Sequence, residues 1–555
     1  MAQCPLFRHG GVILGAALLG AAPLAAQRLA PAAAEERCNG LPVVAIELRS
    51  VRREPVDRRF GAAAAMANRL VFSVQPPTRE WLVRRFLLLR PGQSCDEQRR
   101  VESERILRAQ SYISDVAIRA IPDSAGGVRL LVETIDEIVL YAEAWGFRGV
   151  PVGFELGTGN VGGTGRTFRF TGELGRGGAL GGGIRLRETQ LLGRPIILDA
   201  VYSNRPLVRT RRLVVERPFL TNFQRDAWFT TIDDDVRYYT FRDPGIRDVS
   251  LEYRRVRWEL SFTRQVAPPA GRLVLGLTAQ GERADGVRSV LIRDDGPIPV
   301  PTPDPLKRYG AFSSARIGVT VGARRYRFLA IRGLGALSAP EDVPLGAELF
   351  ASALTGLPAW QRDGQDNRLQ LTSAGAVGSA AVHVRWRATA SWTSPRGEVL
   401  PAQWATVVRT GLSIKRAEGD RTALFADATT LHRERLPTQL TFRGDDDGLI
   451  GWRSTNLGGS RRFVVGVEQR QRVPSPAART EMAVAAVAQA GRLDAGDAPY
   501  GTSTGWRSGV GAALLLSMSG ARQLLRIEFG TPLDPIGGQQ RTEWRFVYSD
   551  FTRRF

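Results

Sequence analysis

Three histidines, His9, His383 and His432, serve the whole 555-residue chain. None has the hydroxyl and carboxylate partners of a catalytic triad in its surroundings. No His-Glu-x-x-His, phosphate-binding lysine loop or paired-cysteine metal pattern occurs. The one string that could support nucleophilic chemistry is Gly501-Thr502-Ser503-Thr504-Gly505. A nucleophile elbow needs a strand before the serine and a helix after it. Here Asp497-Ala498-Pro499-Tyr500 precedes it and glycine-rich sequence follows, so a polar loop is expected. The acidic runs Asp233–Asp235 and Asp445–Asp447 could hold Ca²⁺ or bridge to anionic lipid through divalent ions. A calcium loop needs spaced ligands and a turn glycine, so solvated turn acids are the simpler reading. Gly162–Gly165 and Gly181–Gly183 share only composition with phosphate loops, and tight turns or bent strands account for them. The residues that could do chemistry do not assemble into an enzyme, and no cofactor or metal is expected.

What must be positioned is instead a large number of arginines. The net charge is +21, and of the basic residues only Lys307 and Lys415 are lysine. Such a charge first suggests nucleic acid. The arginines are spread along the chain rather than gathered into a patch, and no nucleic-acid-binding signature accompanies them. Arginine on the polar faces of strands, facing water or anionic headgroups, explains the charge better, so no nucleic-acid partner is expected.

The N-terminus reads as a secretory signal over residues 1–26: Arg8 and His9, the apolar run Gly11–Ala22, then Pro23-Leu24-Ala25-Ala26. Export leaves Cys38 and Cys95, which either pair in an oxidising compartment or remain two small buried hydrophobes. Residues 27–42 lack periodicity and form a leader. Residues 43–137 read as an α+β domain: a strand at Val43–Arg49, helices at Phe60–Leu70, Arg79–Leu89 and Asp96–Ser111 (the last capped by Ser94), then a hairpin turning at Asp123–Gly127.

From residue 138 to 555 glycine is frequent and apolar and polar residues alternate. Phe168, Phe170 and Leu174 oppose Arg169, Thr171 and Glu173. Val382, Val384, Trp386, Ala388, Ala390 and Trp392 oppose His383, Arg385, Arg387, Thr389 and Ser391. After the first 30 residues no apolar run is long enough for a membrane helix, and the mean hydropathy is −0.16. Period two with arginine on the polar face fits a transmembrane barrel better than a soluble sandwich. At about 26 residues per strand and connection, the segment holds 16 antiparallel strands. The long polar loops Arg293–Pro305 and Gln361–Asn367 belong outside the cell. Trp544, Phe546, Tyr548, Phe551 and Phe555 form an aromatic insertion signal, with a change of register between Tyr548 and Phe551.

Two stretches carry a resemblance. Arg84–Gly92, Glu102–Arg108 and Tyr112–Val116 resemble a POTRA domain. Gly444, Gly448, Leu449, Ile450, Gly451 and Trp452, followed by a strand with Glu468 and Arg470, resemble the loop and next strand of the BamA/TamA-like outer-membrane assembly superfamily. That resemblance implies a periplasmic POTRA-like domain ahead of an outer-membrane barrel. Its function would be insertion or translocation of unfolded outer-membrane or secreted clients, in contact with outer-membrane lipid, lipopolysaccharide and a periplasmic or inner-membrane partner. A two-partner-type secretion pore and a passive anion-preferring channel are the alternatives. The family's loop arginine is Ile450 here, and the aspartate before its Ala-Gly is Gln489. Either this lock has been dropped, loss of both partners together being physically coherent, or Arg453 or Arg443 substitutes for it, with Glu468 as the remaining acceptor in the lumen. The first and last barrel strands, near Val152–Leu156 and Trp544–Phe555, would form a weak seam.

Overall fold

The computed structural model describes residues 29, 32–33, 36–51, 61–124, 126–147, 150–175, 180–241, 249–266, 273–293, 296–358, 366–395, 402–443, 448–475, 479–536 and 542–550. The signal segment, Gly444, Asp445–Asp447, Phe551 and Phe555 lie outside the described residues.

A small α+β domain comes first, with β1 (Val43–Val51), α1 (Gly61–Val74), α2 (Glu80–Phe86), α3 (Glu97–Arg108), β2 (Ile113–Pro122) and β3 (Val128–Asp136). Its sheet runs β1-β3-β2, with β1 parallel and β2 antiparallel to β3. Leu82 and Phe86 from α2, Ile106 and Leu107 from α3, and Ile118, Leu130 and Val132 from the sheet share one buried core. The helix expected over Arg79–Leu89 ends at Phe86. Leu87 is extended, which lets Leu88 donate its N–H to Ser103 Oγ at 2.9 Å and keeps Leu89 in the core. The cap of α3 is Asp96, which accepts from Arg99 N at 2.8 Å, and not Ser94, whose hydroxyl donates to Gly40 O. Cys38 and Cys95 are joined by a disulfide, Cα to Cα 5.0 Å.

The wall strands follow as β4 (Leu140–Phe147), β5 (Val150–Val161), β6 (Arg166–Leu174), β7 (Leu180–Glu188), β8 (Ile197–Arg205), β9 (Val208–Arg217), β10 (Asp226–Thr240), β11 (Val249–Gln265) and β12 (Leu273–Arg293). A short β13 (Gly296–Pro299) precedes β14 (Phe312–Arg332), β15 (Pro340–Gly356), β16 (Asp366–Gly378), β17 (Val382–Pro395) and β18 (Gln403–Ala417). The last are β19 (Asp420–His432), β20 (Arg461–Val473), β21 (Thr480–Asp494), β22 (Gly505–Met518), β23 (Gln523–Pro532) and β24 (Glu543–Asp550). Neighbours pair antiparallel, β12 meets β14 directly, and β24 returns to β4 to close a barrel. Since β13 only folds back antiparallel on the end of β12, the wall has 20 strands rather than the 16 expected. Alternate hairpins are tighter than assumed, as between Gly378 and Val382 or Ala417 and Asp420, so the repeat is about 21 residues. The strand that meets β24 is β4, one hairpin earlier than Val152–Leu156, which belongs to β5.

Period-two alternation sets the two faces. Phe168, Phe170, Leu260, Phe262, Val382 and Val384 are exposed on the outer face, while Ser261, His383, Glu468 and Arg470 turn inward. Asp233–Asp235 lie inside β10, not in a turn. Asp233 faces the lumen and pairs with Arg257 at 2.7 Å, and Asp234 faces outward and pairs with Arg254. The small domain sits against one end of the barrel, touching turns around the mouth. Asn160 donates to Thr78 Oγ1 at 3.1 Å, Gln190 to Leu82 O at 3.1 Å, and Arg108 pairs with Asp342 at 2.8 Å.

The disulfide closes a 57-residue separation between its cysteines, and a loop of that size stabilises by roughly 2–4 kcal/mol. Reduction, or Cys95→Ser, should therefore speed protease cleavage before Leu140 while the barrel stays folded by heat-modifiable gel mobility. Equal protection of the oxidised and reduced protein would contradict this.

Candidate functional site: two fingers in the lumen

The long connection between β19 and β20 does not stay outside the barrel. Leu440 and Gly459 exchange backbone hydrogen bonds at 2.7 and 2.9 Å, making the base of a finger that descends from the end opposite the small domain. Its tip is the segment Leu449–Trp452, and Leu449, Ile450 and Trp452 are all buried. Ile450 N donates to Gln489 Oε1 on β21 at 2.7 Å, and Trp452 Nε1 donates to Ser508 O on β22 at 2.9 Å. The two residues that depart from the family pattern, Ile450 and Gln489, are thus brought together through a backbone donor and a neutral acceptor.

The Ile450 side chain occupies a notch made by three glycines. A Cβ at Gly511 would lie 2.3 Å from Ile450 Cδ1, one at Gly530 2.5 Å from Ile450 Cγ1, and one at Gly509 2.0 Å from Ile450 O. Gly511 and Gly530 are cross-strand partners on β22 and β23. Gly451 itself has φ +79° and approaches the Thr531–Pro532 backbone, a placement that suits only glycine. Phe442, Leu457, Val464 and Leu493 complete the apolar seat.

A second finger enters from the small-domain end. The chain between β14 and β15 folds inward over residues 333–339 and is clamped by two buried charges. Arg470 on β20 donates Nε to Gly419 O, Nη1 to Gly335 O, and Nη2 to Gly333, Leu334 and Ala336 O, at 2.7–3.2 Å. Glu341 accepts from the N–H groups of Leu334, Gly335 and Ala336 at 3.2, 2.6 and 2.9 Å. A buried charge persists only when its hydrogen-bonding capacity is met, and here backbone groups meet it. Leu337 at the tip packs on Ala483, Ala485, Ala513, Leu515 and Leu524. Both fingers therefore land on the same inner wall of β21–β23, the outer on Gly511 and the inner on Ala513.

Between them runs a chain of ion pairs. Arg453 of the outer finger pairs with Glu528 at 3.0 Å, Arg526 with Glu528 at 2.8 Å and with Glu468 at 2.7 Å, and Arg421 with Glu468 at 3.1 Å. Glu468 thus lies in the lumen, but its partners are wall arginines. Near the tip, Arg453 meets Glu528, and Arg443 donates to Arg453 O. Ser454 N donates to Glu543 of β24 at 2.9 Å, tying the finger to the last strand.

The remaining sequence candidates scatter. Gly448 lies beside the tip. Trp544 and Phe546 are exposed outward on β24, with Trp544 edge-on to Phe529 at 4.9 Å, and Tyr548 is half-buried with the same parity. Ser503 lies in the loop before β22 and accepts from Ala495 N at 3.0 Å, while His432 faces Asp497 of the same connection at 3.6 Å and its ring lies against Trp404. Among the described residues no group of three or more potential metal ligands is found. The alternating pattern of β14 and β15 does not announce the inner finger. The small-residue run Gly333-Leu334-Gly335-Ala336-Leu337, too long for a tight turn, was its signal.

No protein-family model and no curated protein matches the chain. Among solved structures it is similar to CdiB from Escherichia coli, at 11% identity and a TM-score of 0.46 over 91% of this chain and 76% of that one. It is also similar to BamA from Haemophilus ducreyi lacking POTRA domains 1–3, at 12% identity and a TM-score of 0.38, covering 91% and 84%. A third is the ferric preacinetobactin receptor BauA from Acinetobacter baumannii, at 11% and 0.34, covering 76% and 81%.

Because the fingers enter from opposite ends, unseating one should leave the lumen closed. Gly530→Val, which fills the notch, or Arg470→Ala, which frees the inner finger, should each leave conductance in planar bilayers near the wild-type level. The double variant should conduct severalfold more. A single variant that opens fully would show that only one finger closes the lumen.

Proposed function

We propose that this chain is an outer-membrane protein-assembly factor of the BamA/TamA-like kind. Residues 43–137 act as a POTRA-like periplasmic domain and residues 138–555 as the barrel, and unfolded outer-membrane or secreted proteins are the clients. The observation that carries the reading is a lumen filled from both ends in a barrel closed by short strands. β4 and β24 span 8 residues each, against 21 for β12 and β14. Paired strands hold by the extent of their ladder. Among the described residues β4 and β24 approach over a shorter stretch than any other neighbouring wall strands, so this seam is where the wall would open most cheaply. A passive anion channel fits less well, because its conducting path would be occupied by Ile450, Leu337 and the ion-pair chain. Threading a client through the lumen, as in a secretion pore, would require withdrawing both fingers, whereas insertion at the seam leaves them seated.

The small domain adds a second edge. β2 is closed to strand addition near its middle, since Ile118 N donates to Glu104 Oε1 at 2.7 Å and Ile118 O accepts from Arg100 Nη1 at 2.6 Å. Burial holds the Glu104 carboxyl above its usual range, while Arg100, itself paired to Glu97, opposes the shift. Among the described residues β1 has no strand on its outer side, and its Ile46 carbonyl points that way, accepting from Arg84 at 3.3 Å. An extended client would add to β1 by backbone hydrogen bonds.

In proteoliposomes the protein should accelerate insertion of an added unfolded barrel client, and a disulfide engineered between β4 and β24 should abolish the acceleration reversibly. Full acceleration by the locked protein would sink the seam model. Ser50 shares the outward backbone parity of Ile46 and is exposed. Ser50→Pro removes one edge donor and should weaken client cross-linking to β1 severalfold; unchanged cross-linking would place the client elsewhere.

A further inference from the structure

The outer rim of the barrel, at the end away from the small domain, is chemically lopsided. Along β17–β24 the outward residues at that end are aromatic: Trp392, Trp404, Phe463, Trp506 and Trp544, all exposed. Such residues belong at a membrane–water interface. On β9–β12 the same level is arginine. The registers align Leu213, Ile232, Trp258 and Gly281 in one row. The next row outward is Arg211, Asp234, Val256 and Arg283, and the one beyond it Arg209, Val236, Arg254 and Asp285.

The height of these rows is fixed by the apolar band beneath them. On β11 the outward residues Val256, Trp258, Leu260 and Phe262 lie between Arg254 and Arg264. Ten residues are about 34 Å of strand, or about 24–28 Å along the membrane normal at the usual tilt, which matches an apolar band of about 25 Å. The Arg264 end is the small-domain end, because Arg105 of α3 bonds the Leu220 carbonyl in the turn after β9. Arg254 and its neighbours therefore stand at the headgroup level of the leaflet away from the small domain.

Their charge is only partly spent within the protein. Asp234 is taken by Arg254 through two hydrogen bonds of 2.9 and 3.1 Å, Asp285 by Arg283 at 2.7 Å, and Glu252 by Arg288. Arg209 and Arg211 feel Asp234 electrostatically but form no hydrogen bond or ion pair among the described residues. Two guanidinium groups two residues apart, facing out of a sheet at headgroup height, present paired forks to an anion. Arginine recognises phosphate in this bidentate way.

We infer that the outward face of β9–β12 is a binding site for the phosphorylated headgroup of the outer-leaflet glycolipid, with Arg209 and Arg211 as the phosphate ligands and Arg254 and Arg283 as flanking charge. Leu213 and Ile232, exposed in the row below, would take the acyl chains. The aromatic side of the rim would remain free of this lipid, so the bound glycolipid would mark the wall opposite the seam. This inference rests on the outer-membrane placement of the barrel and not on its assembly activity, so the two fail separately.

The test uses the full chain in detergent, offered diphosphorylated lipid A or the same lipid with both phosphates removed, with retention read by native mass spectrometry. Wild-type protein should retain the phosphorylated lipid and lose the dephosphorylated one. Arg209→Ala/Arg211→Ala, which breaks no ion pair, should lower retention about tenfold or more, while Trp506→Ala should leave it unchanged. Equal retention of the two lipids by wild-type protein would overturn the proposal, as would undiminished retention by the double variant. Displacement by inorganic phosphate alone at matched phosphoryl concentration would also overturn it, because the site would then read a free anion rather than a headgroup.

Discussion

Every part of this molecule depends on the closure of one ladder of backbone hydrogen bonds. A strand facing hydrocarbon has no water to satisfy its N–H and C=O groups, so an open edge is not tolerated and the sheet must meet itself. Closing 20 strands fixes a wide ring, because barrel diameter grows with strand number. A wide ring has an interior that its own wall side chains cannot fill. The inward half of every strand is then obliged to be polar and wet, or to be covered by chain from elsewhere. This barrel does both. Arginine and carboxylate line β10–β12 and β19–β20, while two connections that would otherwise hang at the rims fold in.

The two fingers are held by different physics, and the difference follows from where they land. The outer one sits against glycines, where close backbone approach lets an isoleucine fill a notch. That contact involves little charge, and its polar needs are met by Gln489 and Ser508. The inner one is a buried run of small residues and two leucines whose peptide groups find no strand partner, so its stability lies in saturating those groups as well as in packing Leu334 and Leu337. Arg470 covers carbonyls and Glu341 covers amides, so each charge is met by backbone dipoles. An isoleucine seated on glycines holds the tip by packing and without the desolvation cost of a charge, and the ion pair beside it is Arg453 with Glu528. A buried ion pair often gains no stability over a well-packed apolar contact of similar volume.

Much of this was legible in the sequence because period two survives the uncertainty of strand ends. The facing of Val382, Trp386 and His383, or of Phe463 and Glu468, needs only parity. The α+β domain was legible for a similar reason, its helices and hairpin being local. Strand number was not, since it depends on turn lengths such as Arg205–Val208 that leave little mark in an alternating chain. Nor could parity show that Arg526 on β23 reaches Glu468 on β20 across two intervening strands, or that Asp233–Asp235 continue a strand instead of ending one. The cap of α3 is Asp96, next to the first helical residue, while Ser94 is drawn to Gly40 O, a long-range contact. Contacts made by folding a connection back into the lumen have no sequence period at all.

The small domain and the inner finger meet, and that contact gives the architecture a direction. Asp115 at the start of β2 pairs with Arg332 at 2.6 Å, and Arg108 at the end of α3 pairs with Asp342 at 2.8 Å, on the two stems of the inner finger. Arg522, between β22 and β23, donates its N–H to Glu137 at 3.0 Å and its guanidinium to Gln110 O at 3.2 Å. These bonds join α3, β2 and the end of β3 to both sides of the surface on which Leu337 rests. A displacement of the small domain by a strand added along β1 would act first on Asp115 and Arg108, and through them on the stems that carry the finger. Among the described residues the outer finger has no such connection to the small domain; it is joined to the last strand instead, through Ser454 and Glu543 of β24. One finger is thus bonded to the small domain and the other to the last wall strand. The ion-pair chain from Arg453 to Arg421 lies between them, on the wall that both share.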